Sequence, residues 1–168
     1  LGEMWDDDEV SFIDVTMATS KLYRIIRGLR HIFTSDVIDD RDDVPAMFAL
    51  VPGESHTLGI EIATDVFRRE GWDVDMMVGL DHDTSLERSD RRNYRAMVLV
   101  ANSDSMLEPL TRLALALRIT HPMAHLLVAG NIVDHHADIN DLVGADGVMK
   151  DIETAVGTLS GVLNLSPD

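Results

Sequence analysis

From Val44 onward the chain alternates short apolar runs with amphipathic stretches, and this alternation constrains the fold more than any other feature. The apolar runs predict β-strands, and the amphipathic stretches between them predict α-helices. Strands that alternate with helices form a parallel sheet, because each crossover returns the chain to the same end of the sheet. Five strands are predicted, at residues 46–51, 72–78, 96–101, 124–129 and 147–149.

The helices between these strands are predicted at residues 57–70, 84–92, 106–119, 134–142 and 151–163. Gly71 is the expected C-terminal cap of the first helix, and a Thr or Ser is expected to cap the second. Strand three is apolar throughout, as a central strand of a parallel sheet should be. The fold class predicted is therefore α/β, a flavodoxin-like five-stranded parallel sheet of order 2-1-3-4-5 with helices on both faces.

Residues 1–43 are predicted to form a separate N-terminal helix and acidic linker, ahead of a Rossmann-like domain at 44–168. The apolar positions of the helix are Leu22, Ile25, Ile26, Leu29, Ile32 and Phe33. Its polar face carries the basic residues Lys21, Arg24, Arg27 and Arg30. This face is either solvated or a docking surface, and a homodimer through the N-terminal helix is one form that docking would take.

The charge and composition of the 168 residues restrict the partners of the chain. A net charge of −16 repels phosphate backbones, so direct nucleic-acid binding is not expected and a protein partner is favoured. The sequence has no apolar run long enough for a membrane span and no cysteine for a disulfide or a thiolate metal site. We expect a cytoplasmic protein.

Polar residues follow the strands at the edge where open α/β sheets bind ligands. A phosphate-accepting receiver domain needs two acids after strand one, and this loop offers only Glu54, although Asp104 and Lys150 stand close to the other expected positions. A flavodoxin needs a loop rich in hydroxyl groups and glycine, and a dinucleotide site needs G-x-G-x-x-G, which is absent. The loop after strand one therefore points to other chemistry.

That loop reads Glu54-Ser55-His56-Thr57-Leu58-Gly59, which is E-x-H-x-x-G. It resembles the D-x-H-x-x-G motif of the cobalamin-binding domain superfamily, whose light-sensing regulators carry Glu in place of Asp. The resemblance covers residues 46–163 and includes Gly71-Trp72-Asp-Val and Gly144-Ala-Asp-Gly147. It implies that His56 is the lower axial ligand of cobalt, that Glu54 accepts a hydrogen bond from its ring, and that Gly59 lets the corrin approach closely.

The resemblance also implies a pocket for the nucleotide tail of cobalamin, formed by Ala101, Ser103, Ser105, Ala129 and Gly130. Two of these positions depart from the family. Ala101 replaces the usual Ser of a Ser-x-Leu sequence, which removes a hydrogen bond worth about 1 kcal/mol. Ala129 replaces the first Gly of a Gly-Gly pair, and the added methyl group costs about 1–3 kcal/mol where it meets the ligand. Ser103 and Ser105 are candidate substitutes for the missing hydroxyl.

Within this superfamily, the chain resembles the cobalamin- or heme-binding sensory domains of bacterial photosynthesis-type regulators. That resemblance implies a metal-binding signalling domain and photoreceptor rather than an enzyme, which modulates a transcription factor in response to light or redox state. Three alternatives stay open: a heme-binding variant, a corrinoid carrier subunit for methyl transfer, and a degenerate protein-interaction module.

The other six histidines are expected to have ordinary roles. His31 lies near the end of the N-terminal helix, where a cation suits the helix dipole. His82, beside Asp81 and Asp83, and the pair His135-His136, beside Asp134 and Asp138, are expected to be exposed loop residues, with adventitious Zn²⁺ binding as the alternative. His121 and His125 are expected to be structural. The strand methionines are expected in the core, at Met76, Met77, Met97 and Met149.

Overall fold

The computed structural model of the protein describes residues 44–163. The predicted N-terminal helix and linker, the homodimer through that helix and His31 therefore lie outside the described residues. The described elements run in the predicted alternation of strands and helices. The strands are β1 (Val44–Leu50), β2 (Trp72–Met77), β3 (Ala96–Val100), β4 (His125–Ala129) and β5 (Gly147–Met149). The helices are α1 (Leu58–Arg69), α2 (His82–Ser89), α3 (Leu107–Thr120), α4 (Ile132–His135), α5 (Ile139–Val143) and α6 (Ile152–Val162).

The five strands form one sheet in the order β2-β1-β3-β4-β5, and all the strand pairs are parallel. In the register of this sheet, Phe48 lies beside Met76 on one side and Val98 on the other. The predicted flavodoxin-like fold is confirmed. The carboxyl ends of β1, β3 and β4 therefore meet at one edge, because neighbouring parallel strands point the same way.

The sheet separates two apolar layers, because successive side chains of a strand point to opposite faces. One layer holds Met97 and Leu99 and is covered by α3, α4 and α5. The other layer holds Phe48 and Val98 and is covered by α1 and α6. The four strand methionines lie in the core as predicted. Met77, Met97 and Met149 are buried, and Met76 is partly buried against the second layer. A firm two-layer core holds the strand ends in place for the loops that follow them.

The cap of α2 differs from the prediction. The N-terminal cap of α2 is Asp81, whose side chain accepts a hydrogen bond of 2.8 Å from the backbone N–H of Thr84, so the helix begins earlier than a Thr or Ser cap would allow. Gly71 does follow α1 with a positive φ of 85°, as its predicted capping role requires.

The helix predicted at residues 134–142 is wrong, because the structure has the two short helices α4 and α5 there. Val133 and Ile139 are both buried in the same layer. Six residues of a continuous helix would turn about 240° and place them on different sides. The extended backbone at His136 breaks the helix, so that both side chains face the core.

A membrane-spanning helix is also not found in the described region: none of the helices within residues 44–163 has the length and apolar character that a span requires.

Candidate functional site

The loop after β1 is held by backbone hydrogen bonds on both sides of a tight turn. The N–H of Val51 donates to Val100 O at 3.1 Å, which continues the pairing with β3 beyond the strand itself. Pro52 and Gly53 then reverse the chain, with a φ of 94° at Gly53, and the N–H of Glu54 donates back to Val51 O at 2.9 Å. This turn places Glu54 at the carboxyl edge of the sheet.

The side chain of Glu54 is turned inward and accepts hydrogen bonds through both of its oxygens. Only 3% of the side chain is exposed. Its Oε1 accepts from the backbone N–H groups of Ser55, at 2.8 Å, and His56, at 3.0 Å. Its Oε2 accepts from the backbone N–H of Asn102 at 2.8 Å, which ties the β1 loop to the end of β3.

These hydrogen bonds decide the charge of Glu54. Burial alone raises the pKa of a carboxyl group, since it disfavours the charged form. Here the hydrogen bonds from the backbone and ring of His56, and from the backbone of Asn102 and Ser55, outweigh burial and lower the pKa of Glu54 to about 2. Glu54 is therefore a carboxylate at neutral pH.

The imidazole of His56 is oriented by this carboxylate. Nδ1 of His56 lies 2.6 Å from Oε1 of Glu54. Because an ionised carboxylate only accepts, Nδ1 must carry the hydrogen of the neutral ring, and Nε2 then carries the lone pair. The His56 side chain is 76% exposed, and no other residue within 44–163 hydrogen-bonds its Nε2. The ring thus presents one oriented metal-binding nitrogen to the outside.

Gly59 lies in the first turn of α1, three residues after His56. A Cβ built at Gly59 would meet no atom within 4 Å, and the residue is exposed. A small side chain at Gly59 would therefore meet no neighbouring atom of the described residues.

The ends of β3 and β4 pack closely against each other next to this loop. Ala101 and Ala129 are buried, and the N–H of Ala101 donates to Ala129 O at 3.0 Å. Gly130 has a φ of 95°, and a Cβ built on it would lie 2.2 Å from Ala101 O. Only glycine fits there, because any side chain would collide with that carbonyl group.

Asn102 is the residue of this edge that the sequence-based site omitted. Its backbone N–H reaches Glu54, and its Oδ1 accepts a hydrogen bond of 3.2 Å from the N–H of Asn131. Asn102 thereby connects the loops after β1, β3 and β4. The predicted strand order was a usable signal, because it makes the end of β3 a direct neighbour of the end of β1.

The predicted hydroxyl groups lie in the loop after β3. Ser103 and Ser105 hydrogen-bond each other, with their Oγ atoms 2.8 Å apart. Within the described part of the chain, neither hydroxyl contacts Glu54 or His56, so the structure brings the predicted site residues together as two groups. One is the pair of Glu54 and His56, and the other is the strand-end group of Ala101, Ser103, Ser105, Ala129 and Gly130.

The pair His135-His136 departs from the exposed loop positions predicted for it, since His135 ends α4 and the side chain of His136 is 27% exposed. Nδ1 of His135 and Nε2 of His136 lie 3.0 and 3.1 Å from the same Oδ1 of Asp104. Among residues 44–163, no group of three or more His, Cys, Asp or Glu side chains is arranged to hold a metal ion by itself.

His121 and His125 have the packing of structural residues. The ring of His121 is 9% exposed, lies 6.3 Å from the ring of Tyr94 and has Nε2 at 3.3 Å from Ser89 Oγ. Nδ1 of His125 lies 3.7 Å from Asp146.

Comparisons with known proteins place this geometry in context. No protein-family model matches the chain. The uncharacterized 20.5 kDa protein of the bchF-crtJ intergenic region of Rhodobacter capsulatus is 28% identical over 163 residues, which cover 95% of this chain and 84% of that protein.

Two solved structures with cobalamin- or corrinoid-related names match the chain with high coverage. The monomethylamine corrinoid protein of Methanosarcina barkeri matches with a TM-score of 0.79 and 14% identity, over 96% of this chain and 76% of its own. A cobalamin-binding protein from Desulfitobacterium hafniense DCB-2 matches with a TM-score of 0.65 and 17% identity, over 95% of this chain and 75% of its own. The chain therefore has the fold of solved cobalamin- and corrinoid-binding proteins, as its resemblance to the cobalamin-binding domain superfamily predicted.

Proposed function

We propose that this chain is a tetrapyrrole-binding sensory domain, which binds cobalamin through His56 and modulates a protein partner, a transcriptional regulator, in response to light or redox state. The observation that carries the proposal is the pair of Glu54 and His56. A buried carboxylate fixes one ring nitrogen at 2.6 Å while the ring itself is 76% exposed. We also propose that the protein acts in the cytoplasm.

The donor chemistry fits a metal that already has its equatorial ligands. One neutral imidazole cannot hold a metal ion alone, but it suits the axial position of cobalt or iron in a macrocycle. The hydrogen bond from Nδ1 to Glu54 makes Nε2 a stronger donor, as carboxylate partners do for metal-binding histidines. A bound corrinoid would supply a cobalt centre whose axial bonding depends on its oxidation state.

The residues near the strand ends support binding of the tail less well than binding of the macrocycle. Ala101 and Ala129 are buried and offer no polar side-chain atom. Ser103 and Ser105 have hydroxyl groups at this edge, and their Oγ atoms share one hydrogen bond at 2.8 Å. One hydroxyl hydrogen of the pair stays available to a ligand tail, as do lone pairs on both oxygens. The open surface at Gly59 is the better match, and it also leaves heme as an alternative ligand.

A carrier subunit for corrinoid methyl transfer is the second candidate. Its support is the fold itself, which matches the monomethylamine corrinoid protein at a TM-score of 0.79. The two candidates share the same role for His56 and differ in what happens to the bound group. A carrier exchanges methyl groups with separate enzymes, whereas a sensor changes the surface it offers to a partner. The sensor candidate is proposed as a non-enzyme, whereas the carrier candidate would be a component of a methyl-transfer enzyme system.

Absorption titrations test the binding step. Hydroxocobalamin, and separately hemin, is added to the purified chain and to the variants His56→Ala and His135→Ala. We expect a spectral shift with the wild-type chain that is lost in His56→Ala. His135→Ala is the matched control, because its ring is also accessible, at 50% exposed, but lies at the end of α4. No shift with either compound refutes tetrapyrrole binding, and a shift that survives His56→Ala refutes the axial-ligand role.

A second measurement separates the sensor from the carrier. The cobalamin-loaded chain is first reduced to the Co(I) state with a chemical reductant such as titanium(III) citrate, because cobalt accepts a methyl cation only as Co(I). It is then incubated with methylamines and a corrinoid methyltransferase, and consumption of the amine is followed. We expect no consumption above that seen with His56→Ala. Turnover that depends on His56 would favour the carrier and refute the sensory role.

A further inference from the structure

The carboxylate of Glu54 is tied to the rest of the sheet at a single point. Within residues 44–163, its Oε1 accepts hydrogen bonds from Ser55 and His56, which follow it in the same loop. The bond that reaches the carboxylate from another loop comes from the N–H of Asn102, at 2.8 Å from Oε2. The direction in which Glu54 holds the ring of His56 therefore depends on where Asn102 places its N–H.

The side chain of Asn102 fixes its own backbone just beyond the end of β3. The ladder between β3 and β4 continues as far as Ala101, whose N–H donates to Ala129 O at 3.0 Å. The next tie between these two loops is Oδ1 of Asn102, which accepts from the N–H of Asn131 at 3.2 Å. A Cβ built on Gly130 would lie 2.8 Å from the same Oδ1, so the side chain also packs closely against that backbone.

Both partners of this bond are separately removable. Asn102→Ala removes the acceptor, because alanine has no side-chain oxygen. Asn131→Pro removes the donor, and the φ of −61° at Asn131 is one that proline adopts. In the described part of the chain, the N–H of Asn131 makes no other hydrogen bond. The proline ring fills the position of the N–H, so Oδ1 of Asn102 has to move away.

We propose that Asn102 is a positioning residue for His56, and that its bond with Asn131 keeps the imidazole in the tautomer with its lone pair on Nε2. The bond fixes the backbone of Asn102, whose N–H then fixes the carboxylate of Glu54. An oriented carboxylate favours the hydrogen on Nδ1 of the ring. The tautomer is a property of the chain without a ligand, whereas the consequence for a bound metal rests on the proposed function.

This arrangement makes the loop after β4 a control point for the proposed cofactor site. No residue of that loop hydrogen-bonds the ring of His56 in the described structure, and the loop reaches it only through Asn102 and Glu54. Displacement of the loop after β4 should therefore weaken the axial bond, because a metal-binding imidazole depends on the partner of its other nitrogen. Asn131→Pro tests this consequence, since it changes that loop alone.

Proton–nitrogen correlation NMR of the unliganded chain measures the tautomer, because the frequency of each ring nitrogen depends on whether it carries hydrogen. Spectra are recorded at alkaline pH, where imidazoles are neutral, and the signals of His56 are identified by their absence in His56→Ala. We expect the hydrogen on Nδ1 in the wild type. The tautomer ratio should fall roughly tenfold in Asn102→Ala and in Asn131→Pro, as the loss of one hydrogen bond to a charged group implies.

The control is Asn93→Ala, because Asn93 is an exposed asparagine at the other end of β3, and this variant should keep the wild-type ratio. The double variant of Asn102→Ala and Asn131→Pro should change the ratio no more than either single variant, because both remove the same bond. Circular dichroism checks the folding of each variant, and either single variant decides the question if the other does not fold. A wild-type ratio in a folded single variant overturns the proposal, and so do additive effects in the double variant.

An absorption titration with hydroxocobalamin separates this proposal from the proposed function. We expect Asn102→Ala and Asn131→Pro to bind more weakly by up to roughly tenfold, because the free Nε2 is less populated and is a weaker donor. Asn93→Ala should bind as the wild type does. If the wild-type chain does not bind the compound, cobalamin binding fails while the tautomer ratio still decides the role of Asn102. If it binds, equal affinities in the variants overturn the consequence for the metal.

Discussion

The buried carboxylate of Glu54 provides a sharp test, because its four hydrogen bonds make a definite contribution to folding. In Glu54→Gln the side chain keeps its shape but has one acceptor oxygen and an NH₂ group. If the oxygen takes the place of Oε1, it can still accept from Ser55 and His56. The NH₂ group then faces the N–H of Asn102, where Oε2 accepts in the wild type, and two donors oppose each other.

The size of the effect follows from the pKa. The pKa of Glu54 falls from an ordinary value of 4.5 to about 2 in the folded chain, and each unit corresponds to about 1.4 kcal/mol. The ionised carboxylate therefore contributes about 3 kcal/mol to the free energy of unfolding. A folded pKa below the unfolded one means that this contribution is complete above pH 4.5. It is lost as the pH falls toward 2, where the wild type becomes protonated and resembles the variant.

Urea unfolding followed by circular dichroism measures this difference between pH 7 and pH 2.5. We expect Glu54→Gln to be about 3 kcal/mol less stable at pH 7, with a difference that shrinks below pH 4. Glu87→Gln removes an exposed carboxylate from α2, and it should change stability by less than about 0.5 kcal/mol. Equal stabilities of Glu54→Gln and the wild type at pH 7 would refute the reasoning. A difference that stays constant with pH would refute the role of ionisation.

Three further substitutions test the geometry around the site. Gly130→Ala should destabilise the chain by more than about 2 kcal/mol in thermal unfolding, because its Cβ meets Ala101 O at 2.2 Å at a positive φ; an unchanged melting temperature contradicts this. Gly59→Ala should stabilise the unliganded chain by up to about 1 kcal/mol, because alanine favours the helix and its methyl group meets no atom. The same variant should weaken hydroxocobalamin binding in an absorption titration, and an unaltered affinity would show that the ligand does not approach this helix start. Asp146→Ala should cost about 1–3 kcal/mol in urea unfolding, because it leaves the N–H of the buried Leu126 without the Oδ2 acceptor that lies at 2.8 Å in the wild type; a change below about 0.5 kcal/mol would contradict this.

The strands and most of the helices were predictable because their signals are local. Apolar runs define the strands, and the alternation with helices leads to parallel pairing and to the observed order. Two helix boundaries differ from the prediction for local reasons. The cap of α2 is Asp81 rather than a neighbouring Thr or Ser. The region predicted as one helix at 134–142 forms two short helices, because both ends of it bury side chains on the same side.

The sequence predicted the pair of Glu54 and His56, but not the contacts that other loops make around this pair. Glu54 and His56 are two residues apart, so their contact at 2.6 Å needs only a suitable turn. The contact of Glu54 with Asn102 joins residues that are 48 apart in the chain, so no motif spacing indicates it; the predicted strand order makes their loops neighbours but does not specify the bond. The aspartate that contacts His135 and His136 is likewise distant in sequence, at position 104.

The sequence by itself determined a parallel α/β sheet and an E-x-H-x-x-G loop at its carboxyl edge, because both follow from residue order over short distances. Only the tertiary structure decided that Glu54 is buried and ionised while His56 is exposed. It also decided that Asn102 is the residue that joins the three loops. These features depend on which strand ends become neighbours and how deeply each side chain is enclosed. Burial and donor geometry are properties of the packed sheet, and they set the charge and direction of the groups on which the proposed ligand site depends.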